Sequence, residues 1–170
     1  MKKILAIGII LLTICVSVSA VSADDGWSFN FSSSDSSNSD GGSVSVNNNN
    51  VKIQDISYTI PDGFKENKSA EVVGEDADQN TFPGAKISTV RFDKDNESII
   101  IKVIFSDSKF DNSTYEPGNN TVAKTVANIE GYIADFNDGV SFDYIKDGKV
   151  VEIFAPDEKT LQSVIQSSEK

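Results

Sequence analysis

Beyond Val51 apolar residues recur at every second position, a period that a β-sheet satisfies and a helix does not. Val51 and Ile53, then Ile56, Tyr58 and Ile60, alternate with polar neighbours around an irregularity at Gln54-Asp55. Pro61-Asp62-Gly63 then supplies a turn that stops the strand. Lys86 to Phe92 and Ser98 to Phe105 predict two further strands, the second rich in β-branched residues, with Asp93 to Glu97 as their hairpin loop. After the polar stretch 106–120, strands are predicted at Tyr132 to Phe136, Val140 to Ile145 and Lys149 to Phe154. The last two flank Lys146-Asp147-Gly148, an Asp-Gly hairpin signal.

Two stretches carry mixed signals. Residues 64–84 combine a short candidate strand, Ala70 to Val73, with a loop from Gly74 to Gly84. In Thr121 to Glu130, Val122, Ala123, Val126 and Ala127 suit a helix face closed by Gly131, but Val126 to Tyr132 also suits a glycine-bearing strand, and the strand is preferred. Ala155-Pro156 ends the sheet, and Asp157 offers an N-cap to a closing helix with Leu161, Val164 and Ile165 on one face. The expected fold is α+β: a mainly antiparallel sheet of five or six strands in meander order, with a C-terminal helix covering one face.

The domain so defined, residues 51–170, is preceded by two segments of different composition. Lys2 and Lys3 lead an apolar run from Ile4 to Cys15, followed by small residues and an abrupt charge at Asp24. A positive start, an apolar middle and a small-x-small end make residues 1–23 a secretory signal, cut after Val21-Ser22-Ala23 or after Val18-Ser19-Ala20. An uncleaved anchor is the alternative, since Ile4 to Val21 approaches the length that spans ~30 Å of hydrocarbon. In both cases the rest of the chain is expected outside the cytoplasm. Cys15 follows Ile14 and lies inside the apolar run, so it reads as a hydrophobic leader residue, not a lipidation site. Residues 24–50, rich in Ser, Asn and Gly, read as a disordered linker. Within it Trp27, Phe29 and Phe31 alternate, which suits either a strand that docks onto a sheet edge or merely a few aromatics near a processing site.

Composition excludes much chemistry. The net charge is −11, and loss of Lys2 and Lys3 with the leader makes it −13, so phosphate and anionic lipid surfaces are repelled and cations or basic partners favoured. No nucleic-acid partner is expected. There is no histidine, and the single cysteine lies in the leader. Zinc, copper and haem ligation, Ser-His and Cys-His nucleophiles and disulfides are thereby removed. No cofactor is expected, and the core alone must hold the domain together.

What remains is oxygen chemistry. Asp76, Asp78 and Asn80 alternate, as do Asp93, Asp95 and Glu97, resembling the start of a calcium loop. The glycine and glutamate that an EF-hand needs at loop positions six and twelve are missing: Thr81 and Ile87 stand there in one case, Ser98 and Ile104 in the other. Solvated acidic turns are the favoured reading, with Asp76, Asp78, Asp93, Asp95 and Glu97 as weak metal candidates. No nucleophile elbow, P-loop or dinucleotide fingerprint occurs. Asn30, Asn67, Asn96, Asn112 and Asn119 are Asn-x-Ser/Thr glycosylation candidates, all in expected tails and turns.

The C-terminal pattern resembles known exported domains. Asn128 to Ile133, Phe142 to Ile153 and a helix from Glu158 are similar, over residues 51–170, to small secreted proteins of methanogenic archaea. About the last 45 residues more distantly resemble PsbP-like domains, where a glycine-bearing strand leads into a hairpin and a closing helix. The archaeal resemblance implies no activity, and the PsbP-like one implies an accessory or binding role. The resulting expectation is a non-catalytic secreted or cell-surface module. A calcium-binding surface protein and a small carboxylate hydrolase are the alternatives.

Overall fold

The computed structural model describes residues 42–113, 115–118 and 120–168. The expected leader with its candidate cleavage sites, the Trp27-Phe29-Phe31 alternation, Asn30 and Asn119 lie outside them. In chain order the strands are β1 Val44–Asn47, β2 Asn50–Ile53, β3 Ile56–Thr59, β4 Lys65–Glu66, β5 Val72–Asp76, β6 Lys86–Lys94, β7 Glu97–Phe105, β8 Val122–Val126, β9 Ile129–Phe136, β10 Gly139–Lys146 and β11 Lys149–Ala155. Helix α1, Glu158–Ser167, closes the chain. Asp157 accepts a 2.8 Å hydrogen bond from the Thr160 amide, and Leu161, Val164 and Ile165 are buried, as their spacing predicts.

The α+β class and the antiparallel sheet are as expected; the strand number and order are not. The larger sheet has eight strands in the order β4-β6-β7-β11-β10-β9-β8, with β5 also on the free side of β6, and β1-β2-β3 form a second sheet. The meander is broken where β4 and β5 both pair with β6, and again beyond β7. Residues 106–121 carry the chain from β7, inside the sheet, to β8 at its far edge, and β8 to β11 return by hairpins until β11 pairs with β7. Ile101 and Ile153 face each other across that pairing, both fully buried.

Turn chemistry explains the other departures. Gln54 and Asp55 both have positive φ, so they form the two-residue turn between β2 and β3, not an irregularity within one strand. Ala127-Asn128 makes the same left-handed pair between β8 and β9, so 121–130 is no helix, and the single strand expected over Val126 to Tyr132 is instead a hairpin turning at 127–128; Asp147-Gly148 makes the same pair between β10 and β11. The loop expected at 93–97 shrinks to Asp95-Asn96, because Asp93 and Lys94 pair with Ser98 and Glu97. The end of the supposed linker is also structured: Val44 and Val46 pack against the core as β1 pairs with β2, so the ordered domain starts before Val51. Too short a run of alternation, between glycines and asparagines, hid it.

One face of the large sheet carries the main core. β1 to β3 and α1 lie over it, and Tyr58 on β3 shares a 3.0 Å hydroxyl contact with Tyr144 on β10. The other, outer face is partly roofed by the 77–85 loop and the 106–121 connection. These bring Phe82, Phe110 and Tyr115 onto Ile104, Val150 and Ile145.

Candidate functional site

The outer face places a row of polar side chains at successive register positions: Lys102 on β7, Glu152 on β11, Asp143 on β10 and Tyr132 on β9. Residues directly opposite on one face stand close enough to interact. Lys102 donates to Glu152 at 2.9 Å, which leaves Asp143 beside a carboxylate already satisfied. Tyr115, delivered by the 106–121 connection, donates its hydroxyl to Asp143 Oδ2 at 3.0 Å.

Asp143 is the unusual member. It is 5% exposed, and its Oδ1 is the buried side-chain oxygen that lacks a hydrogen-bond partner among the described residues. Burial, then the negative charge of Glu152, pushes its pKa up to about 7 against the opposing effects of Tyr115 and Lys102. Burial and the facing Asp143 charge likewise push Tyr115 well above the ordinary phenol range.

Next to this row the sheet parts. The β9–β10 ladder stops at Tyr132 and Asp143, yet β9 extends back to Ile129 along β8 and β10 runs on to Lys146 along β11. A notch of about 350 Å³ opens where the two strands separate. Tyr115 and Tyr132 wall it, with ring centres 6.1 Å apart and planes tilted by 49°, and Glu130 and Thr125 stand at its rim. Gly131 sits on the floor. A Cβ there would collide with the Asp143 carbonyl and the Phe142 ring, so only glycine lets β9 come this close to β10. A second groove of about 280 Å³ runs between the end of β3 and α1, lined by Thr59, Ile60, Pro61, Ser163, Gln166 and Ser167. It offers no ionisable side chain.

The weak metal candidates lie elsewhere and are engaged separately. Asp93 accepts from Arg91, Asn67 and Ser98 at 2.7 Å each; burial opposes its ionisation, but these donors outweigh it and hold its pKa below the usual carboxylate value. Asp76 pairs with Lys86 at 3.6 Å, and Asp78 accepts from Thr81 and Asn80, which holds its pKa low. Asp95 is at the hairpin tip, and Glu97 opens β7, paired with Lys94. Among the described residues no three His, Cys, Asp or Glu side chains converge as a metal site would require. Asn96 and Asn112 are exposed in turns, whereas the Asn67 amide nitrogen donates to Asp93 at 2.7 Å and is held by the fold.

Sequence reasoning missed Asp143, Tyr115 and Tyr132. Phe142 and Tyr144 flank Asp143 and face the core, so alternation assigns Asp143 to the wet face; its burial comes from a connection that no local pattern links to it. Set against known proteins, no family model, no curated protein and no solved structure matches this chain.

Proposed function

We propose that this chain is an exported, non-catalytic module of the cell surface or its surroundings, working by binding instead of turnover. One observation carries the reading. Asp143, the described carboxyl displaced furthest from its ordinary pKa, lies beneath Tyr115 and lines neither groove. A general acid or base must come within hydrogen-bond reach of a substrate atom, and Tyr115 occupies that approach. Lys102 takes up Glu152, so the carboxylate directly beside Asp143 is held in an ion pair and is not offered to a substrate. The signal-like leader and the acidic composition support an extracytoplasmic setting with a basic or cationic partner. A calcium role has weaker support, because the acidic turns do not converge.

Intact-mass analysis of fractions from the native host tests the export. A species beginning at Asp24, in the envelope or the medium, is expected; the full-length polypeptide in the cell interior overturns it. Incubation with ester, glycoside and peptide substrates tests the rest. Turnover that disappears in Asp143→Asn would make the chain an enzyme.

A further inference from the structure

The notch between β9 and β10 is bordered by two aromatic rings and an exposed carboxylate. Its walls include two tyrosine rings packed at 6.1 Å, and the face of such a ring carries negative electrostatic potential that attracts cations. Behind Tyr115 sits Asp143, with one oxygen on the tyrosine hydroxyl and the other without a partner. Glu130 adds an exposed carboxylate at the rim. The one lysine that borders the notch, Lys124, turns its ammonium away: it lies opposite Gly131 in the β8–β9 ladder and binds Glu158 of α1 at 2.8 Å. The local field is therefore negative, as is that of the whole chain at −11. An anionic guest is repelled here, and a purely apolar guest leaves the Glu130 carboxylate uncompensated.

We infer that this notch binds an alkylammonium group, seated against the paired rings of Tyr115 and Tyr132 with Glu130 at its rim. The inference rests on the reading of the chain as a binding module and names its ligand chemistry. Such a group comes either from a small free organic cation or from the lysine side chain of a basic polypeptide. A sodium-like ion fits less well, because aromatic walls do not replace the several oxygens that a hard cation requires.

The test is titration of the full-length protein, uniformly labelled with nitrogen-15, with choline chloride and separately with Nα-acetyl-lysine amide, ionic strength being held constant with sodium chloride. Saturable amide shifts at Thr125, Glu130, Gly131 and Tyr132 are expected, with the tighter probe identifying the source of the cation. The uncharged carbon isostere of choline, 3,3-dimethylbutanol, should bind about tenfold more weakly. Tyr132→Ala should weaken binding by about tenfold, while Tyr132→Phe, which keeps the ring face, should retain it. Because Tyr132 packs under Tyr115, Glu130→Gln serves as the variant that leaves packing alone, with an expected loss of about threefold. Equal binding of the uncharged isostere, or no saturable shift with either cation, overturns the inference. That failure leaves the module reading intact if the mature protein is still found outside the cell and without turnover; an interior, full-length protein defeats that reading even where the cation binds.

Discussion

Replacing Asp143 with asparagine should change how stability depends on pH, not merely how stable the domain is. The carboxyl faces Tyr115 from the connection, Glu152 and Lys102 from the neighbouring strands and Tyr132 from β9, and its folded pKa is about 7 against 3.8 for a free carboxyl. Between those values the native state holds a proton that the unfolded chain has released, so stability falls as pH rises through the window and levels off above it. At ~1.4 kcal/mol per pH unit the whole displacement corresponds to roughly 4 kcal/mol. Asparagine removes that loss but puts an amide nitrogen where Oδ1 had no partner, at a cost of about 1–3 kcal/mol. The variant should accordingly be less stable than the parent at about pH 5 and equal or more stable at about pH 8. Urea denaturation of both proteins across this range reads out the difference, with background titration of the other carboxylates common to both. A gap between the two proteins that stays constant from about pH 5 to about pH 8 would refute the argument, because Asp143 would then hold the same charge in the folded and the unfolded chain.

Other substitutions probe the frame that positions the site. Ile101→Asp or Ile153→Asp should abolish cooperative unfolding, since each puts an unpaired charge into the buried β7–β11 pairing; a melt near that of the parent would contradict that pairing. Asp157→Ala should cost about 1 kcal/mol through loss of the cap on Thr160, and Asp157→Ser should recover most of it in the same thermal melt. Ala127 has φ of +52°, so Ala127→Gly should raise stability by about 1 kcal/mol in urea titration. Gly131→Ala should destabilise the domain and disturb the β9–β10 amide resonances, because its Cβ has no room beside the Asp143 carbonyl.

The sequence by itself determined the local elements. Alternation marked β6, β7, β9, β10 and β11 of the large sheet but not the short β4 or the ambiguous β5 and β8; the one-sided spacing of Leu161, Val164 and Ile165 marked the helix, and Asp147-Gly148 marked a turn, because each reports a backbone preference or a burial period within a few residues. It also narrowed the chemistry on offer, since the chain has no histidine and its one cysteine, Cys15, lies in the apolar N-terminal run. Tertiary structure alone decided that β11 joins β7, that Val44 and Val46 belong to the core, and that Asp143 is buried. A strand's alternation names its buried face but not its neighbour, which is chosen by packing between residues far apart in the chain. Nor can a residue's own neighbours in sequence reveal what crosses above it. Asp143 reads as a solvent-facing aspartate until the 106–121 connection lays Tyr115 over it, and water's exclusion by that crossing gives the carboxyl its raised pKa.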